Sequence, residues 1–211
     1  PPAILSIFLG DELTGVVDSI IKGTNYTAPE KSLVRIGVDV LPSIPKDTTD
    51  RNRTSPVAFT GNKFEFRMVG SSQSVAGPNI ALNAIMADEL GKIADELEKA
   101  EDFDTTLQTL VCRIFTDHQR VIFNGNGYSD EWKAEAARRG LSNLSSTAEC
   151  LPAYVSAKNV ELVTKHGIYT EAEFFARYSI YLDAYNKVVN IEARTALDMI
   201  RQQILPAAMH Y

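Results

Sequence analysis

From Pro78 to its end the sequence carries helix start and stop signals at nearly every joint, which limits the chain to folds dominated by packed helices. Gly77-Pro78-Asn79 introduces a stretch in which Ile80, Ala84, Ala87, Leu90, Ile93, Ala94 and Leu97 recur mostly three and four apart. That spacing predicts an amphipathic helix to about Leu97, with Glu89, Lys92, Glu96 and Lys99 alternating in sign on its solvated side. Asp104 is an N-cap candidate for a helix through about Phe123, with Leu107, Leu110, Val111, Ile114 and Phe115 inward. Asn124-Gly125-Asn126-Gly127 then reads as a turn. Ser129 caps a short helix ending at Arg138-Arg139-Gly140, where cations meet the negative end of the helix dipole. Ser146…Glu149 and Thr170…Glu173 have the spacing of capping boxes. The first opens a helix through Lys165, with a turn or kink at Pro152. The second opens the longest helix, to about Leu205, with Pro206 as its stop.

The first 78 residues read differently. Ala3 to Ile21 has a helical spacing of apolar residues closed by Gly23. Leu33–Val38 has the branched content of a short strand, and Pro42, Pro45 and Lys46–Asp50 form a loop not expected to pair within a sheet. After a loop or irregular strand over 51–58 and a turn at Thr60-Gly61-Asn62, Lys63–Val69 alternates as a strand. The expected fold is α+β and predominantly α-helical: a few antiparallel strands within residues 1–78, then a helical array over residues 79–211.

Composition narrows the function classes. Of 211 residues, 45% are hydrophobic and the net charge is −6, so nothing draws the whole molecule to nucleic acid or an anionic membrane. No apolar run approaches the ~20 residues that span a bilayer. The two cysteines, Cys112 and Cys150, make no metal-binding pattern and read as reduced, partly buried thiols of a cytoplasmic protein. No signal peptide is visible, and the opening Pro1-Pro2 without Met suggests a piece of a longer protein. The three histidines, His118, His166 and His210, lie at no metal-ligand spacing and read as structural or exposed. The tyrosines of the last helix read as packing.

One cluster carries chemistry. In Lys63-Phe64-Glu65-Phe66-Arg67-Met68 a strand places Phe64, Phe66 and Met68 on one face and Lys63, Glu65 and Arg67 on the other. The charged face is either a solvated sheet surface or a platform for phosphate or a metal–phosphate complex. Arg51 and Arg53 just upstream add donors whose planar fork suits phosphate oxygens. An ionised carboxylate such as Glu65 would be a hard oxygen ligand for magnesium or manganese.

The order Asn52-Arg53-Thr54, then Phe64-Glu65-Phe66-Arg67, then Gly77-Pro78-Asn79-Ile80-Ala81-Leu82 resembles the C-terminal half of the glutamine synthetase catalytic domain. The wording of residues 53–67, the opening Pro1–Gly10 and the long helical tail most resemble the type III enzymes, so the resemblance covers essentially the whole chain and is most specific over residues 51–83. It implies ATP-dependent ligation of ammonia to the side-chain carboxylate of glutamate through a γ-glutamyl phosphate, with magnesium or manganese. It implies a metal ligand in Glu65 and catalytic roles for Arg67 and Arg53, the latter near the transferred phosphate. Lys63, with Arg53, would lie on the nucleotide side. The family's second arginine, in an Arg-Ile-Pro element, is replaced here by Ser55-Pro56-Val57-Ala58-Phe59, so one nucleotide contact is missing or supplied elsewhere. The resemblance further implies a homo-oligomer of stacked rings, a dodecamer in the full-length family. Most of the family's metal ligands lie upstream of residue 1, so the 211-residue chain alone is expected to lack ligase activity. A γ-glutamyl-amine ligase of the same fold, or a non-catalytic helical scaffold, are the alternatives.

Overall fold

The computed structural model describes residues 4–27, 54–68, 70 and 72–211, and the backbone alone of 33–34 and 44–45. The described residues are α+β and predominantly helical, as the start and stop signals require. The extent of the strand predicted over Lys63–Val69, the loop after Leu41 and several helix ends differ in detail.

The expected helix from Ala3 begins late. Ile7–Phe8 forms β1, and α1 spans Gly10–Lys22. A β-branched residue beside an aromatic favours a strand, and a partner is available: β1 pairs in parallel with β4 (Val57–Phe59), Ile7 opposite Val57 and Phe8 opposite Ala58. Gly10 turns the chain from strand to helix at φ 79°, a left-handed conformation that favours glycine. β4 in turn pairs antiparallel with β5 (Phe64–Phe66), giving a three-stranded sheet in the order β1-β4-β5. A separate two-stranded ribbon joins β2 (Leu33–Val34) to β3 (Ile44–Pro45). The segment expected to stay unpaired therefore does pair at Ile44–Pro45. Both members of a two-stranded ribbon are edges, where a missing proline N–H costs least. Of the strand expected over Leu33–Val38, residues 35–38 lie outside the described residues.

The helices follow as α2 (Ala76–Leu97), α3 (Phe103–His118), α4 (Asp130–Arg138), α5 (Thr147–Tyr154), α6 (Ala157–Lys165), α7 (Glu171–Met199) and α8 (Leu205–His210). Asp102, not Asp104, caps α3; its Oδ1 accepts from the backbone N–H of Asp104 and Thr105. α3 ends at His118 rather than Phe123, in a 3₁₀ turn over Gln119–Val121. The helix expected through Lys165 is two helices, because Tyr154 ends α5 two residues after Pro152 and Ser156 starts α6. Pro206 does not stop the last helix. A π turn over Ile200–Ile204 leads into α8, whose first turn holds Pro206, where a missing N–H is tolerated.

The chain forms two compact units, Pro1–Asn83 with Glu89–Asn143, and Ala84–Asp88 with Leu144–Tyr211. The first has a core of Ile4, Trp132 and Ala136, with Phe123 and Leu141 packed against it. The Phe123 and Trp132 rings stack at 3.9 Å and 6°. Arg139 lies over Trp132 and donates to the Ile122 carbonyl at 3.0 Å. In the second unit, Phe174 is buried against Tyr154, with ring centroids 4.3 Å apart, and burial pushes the Tyr154 phenol up to about 12. Asp88 accepts from Lys165 at 2.7 Å and lies 3.1 Å from His166. Most of the apolar face predicted for α2 is not covered among the described residues: Ala84 is buried, while Ile80 and Leu90 are exposed. Cys112 is partly buried as expected, but Cys150 is exposed.

Candidate functional site

The charged strand is one arm of a hairpin. Val57 pairs with Phe66, Ala58 with Glu65 and Phe59 with Phe64. The expected turn closes it: the Thr60 N–H donates to the Lys63 carbonyl at 2.9 Å, with Gly61 at φ 95°. The strand itself is shorter than Lys63–Val69. Arg67 follows directly, and its backbone N–H donates to the Pro56 carbonyl at 2.8 Å, which fixes it beside the Ser55-Pro56 segment.

Lys63, Glu65 and Arg67 are brought together as alternation predicts. Glu65 Oε2 accepts from Arg67 Nη2 at 3.3 Å and Nε at 3.4 Å, and Glu65 Oε1 lies 3.5 Å from Lys63 Nζ. The two faces do not differ simply in exposure. Phe64 is 55% exposed, its ring tilted at 49° to that of Phe59 with 5.2 Å between centroids. Exposure instead falls along the chain: the side chains of Lys63, Glu65 and Arg67 are 66%, 39% and 15% exposed. Burial is set by distance from the open hairpin end, where Phe64 and Lys63 lie, and not by strand face. Arg53, with Arg51 and Asn52, lies outside the described residues.

A half-buried guanidinium paired with a half-exposed carboxylate can present donors to an oxyanion while the carboxylate offsets its charge. The same carboxylate is a poor metal centre alone. Magnesium prefers an octahedron of oxygen ligands, both Glu65 oxygens already face cations, and no group of three His, Cys, Asp or Glu among the described residues could hold a metal ion. Glu65 therefore fits as one ligand of a metal, not as its site.

Two residues next to the hairpin escaped the sequence reading. Ser6, just before β1, and Ser55, just before β4, are each 1% exposed, and their hydroxyls have no hydrogen-bond partner among the described residues. A serine inside the otherwise apolar run Ile4–Leu9 was the available signal for the first. Asn124 also went unread beyond its place in a turn. Its Oδ1 accepts from the N–H groups of Leu9 and Gly10, and its Nδ2 donates to Thr14, so it satisfies the open end of α1 from across the chain.

Residues 106–211 match the model of the glutamine synthetase C-terminal domain, half of the chain. The chain belongs to the glutamine synthetase C-terminal domain family. It is 46% identical to the type-3 glutamine synthetase of Dictyostelium discoideum over 98% of its own length and 29% of that protein. It is 41% identical to a glutamine synthetase of Butyrivibrio fibrisolvens and 39% identical to that of Bacteroides fragilis, in each case over 100% of this chain and 30% of the relative. The chain thus spans less than a third of the length of these relatives. The family match begins within α3, after the Lys63–Arg67 hairpin; the hairpin lies within the stretch shared with the three synthetases. Among the described residues, no helix is long and apolar enough to cross a membrane.

Proposed function

We propose that this chain is the C-terminal part of a cytoplasmic glutamine synthetase and supplies one wall of its ATP site. The reaction joins ammonia to glutamate in two steps. The glutamate side-chain carboxylate attacks the terminal phosphorus of ATP, and ADP leaves. Ammonia then attacks the carbonyl of the γ-glutamyl phosphate, and phosphate leaves with a proton released. Arg67 and Arg53 are the catalytic cations, aimed at charge on the transferred phosphoryl group, and Lys63 with Arg53 binds the nucleotide. Glu65 gives one oxygen ligand to a magnesium or manganese ion whose other ligands lie outside the described residues. Residues 1–78 complete the catalytic domain, residues 79–211 form its helical C-terminal region, and the whole protein is a homo-oligomer of stacked rings.

The observation that carries this reading is the Glu65–Arg67 pair, held 3.3 Å apart on a hairpin fixed to the Ser55-Pro56 segment, within a stretch shared with three glutamine synthetases. Positioned donors of this kind act by stabilising charge as it develops, and they need little reorganisation.

The test compares phosphate release by the 211-residue chain alone with release by a complete synthetase carrying this chain as its C-terminal part. The complete protein is expected to release phosphate only when ATP, magnesium, glutamate and ammonia are all present, and the chain alone to release none. Release by the complete protein that needs a larger amine in place of ammonia would instead identify a γ-glutamyl-amine ligase. No release from it would leave a non-catalytic helical assembly.

A further inference from the structure

The turn over Asn124–Gly127 closes onto the segment that holds Arg67. Residues 122 and 123 run beside β1: Ile7 bridges Ile122 in parallel, and the Phe123 N–H donates to the Ile7 carbonyl at 2.9 Å. Asn124 Oδ1 then accepts from the Leu9 and Gly10 N–H groups. The rest of the turn is seated on the core of the first unit. A Cβ on Gly125 would lie 2.5 Å from the Phe123 ring, and that ring stacks on buried Trp132. Asn126 shapes the turn: its Oδ1 accepts from the Tyr128 N–H at 3.0 Å and its carbonyl from the Ser129 N–H at 3.1 Å. Gly127 is buried, and its N–H donates to the Thr54 carbonyl at 3.1 Å.

Thr54, Ser55 and Pro56 precede β4, which begins at Val57, so strand pairing does not hold them. They are gripped at both ends instead. Gly127 binds the Thr54 carbonyl, and the Arg67 N–H binds the Pro56 carbonyl at 2.8 Å. Between the two bonds Ser55 is 1% exposed. β5 ends at Phe66, so Arg67 takes its place from Pro56, two residues from the Gly127 bond. A reacting group misplaced by about 1 Å can cost about 100-fold in rate, even when the cause lies far from the chemistry. Gly127 falls within residues 106–211, the part matched by the C-terminal domain family, whereas Thr54 and Arg67 fall before it. The bond therefore ties that domain to the wall that carries Arg67.

We propose that Gly127 is a positioning residue for the ligase reaction: through Thr54 and Pro56, the C-terminal domain sets where Arg67 stands. This rests on the role given to Arg67 above. Its test is a double-mutant cycle on kcat in a complete synthetase carrying this chain. Gly127→Pro removes the N–H donor and is expected to lower kcat at least about tenfold. In an Arg67→Ala background the same substitution is expected to cost less than about threefold, because the group it positions is gone. A loss caused by general damage to the fold would be equal in the two backgrounds. Asn126 supplies a second route that leaves the Gly127 backbone free. Asn126→Ala removes the exposed side chain that shapes the turn and is expected to lower kcat by a smaller factor, whereas Asn126→Asp keeps the acceptor and is expected to restore it. If Gly127→Pro does not fold, the Asn126 variants crossed with Arg67→Ala decide. Equal losses with and without Arg67, or parental kcat in both Gly127→Pro and Asn126→Ala, would overturn the positioning role and leave Arg67 catalytic. Parental kcat in Arg67→Ala alone would overturn the site reading and the positioning role with it.

Discussion

Asn124 shows how much one side chain can hold in place. It sits in the Asn124-Gly125-Asn126-Gly127 turn, yet it binds the N–H groups of Leu9 and Gly10 at the start of α1 and the Thr14 hydroxyl, more than a hundred residues away in sequence. Net stabilisation of about 1 kcal/mol per bond, with buried donors left open on removal, predicts that Asn124→Ala costs about 2 kcal/mol or more, read by urea denaturation. Ser55 predicts the opposite sign. Its buried hydroxyl has no partner among the described residues, so Ser55→Ala removes an unmet desolvation penalty and should leave stability unchanged or raise it by about 1 kcal/mol. A loss of stability comparable to that of Asn124→Ala would show that the hydroxyl is bonded. Neither role was legible beforehand. A turn asparagine and a serine near a strand are common, and only the fold decides whether their polar atoms are used.

At the scale of elements the legible signals were local. Both capping boxes form: Ser146 with Glu149, and Thr170 with Glu173. The Thr170 backbone N–H also holds the Glu173 carboxyl below its usual range. Thr170→Ala should therefore cost about 1 kcal/mol, seen as a lower Tm of the chain. α4 gives a pH signature. Glu135 accepts from Arg138 and Arg139, and these bonds hold its carboxyl down from 4.5 to about 2. A carboxylate depressed in the folded state stabilises above its unfolded pKa and loses that contribution as pH falls through the folded value. Tm measured from pH 7 downward should place Glu135→Gln below the parent at neutral pH. The gap should close between about pH 4.5 and 2. What the local signals did not give were element ends and partners. β1 exists because β4 lies beside it, and the last helix passes Pro206 because a π turn precedes it. Both depend on surroundings that no local pattern contains.

For the whole molecule, fold class and family followed from punctuation and motif order, and the match over residues 106–211 with three synthetases along the chain agrees with both. The site was legible as a set of residues but not as a surface. Alternation put Glu65 and Arg67 together, but strand periodicity says which face a side chain takes and not whether anything covers that face, and Phe64 is exposed. The same limit applies to α2, most of whose predicted apolar face is exposed among the described residues. The central claim is that Arg67 acts on the transferred phosphate. It is tested most directly by the kcat of Arg67→Ala in a complete synthetase carrying this chain, with Tm recorded alongside. A fall of about 100-fold or more with Tm little changed is the predicted result. Turnover near that of the parent, in a variant of unchanged Tm, would contradict it.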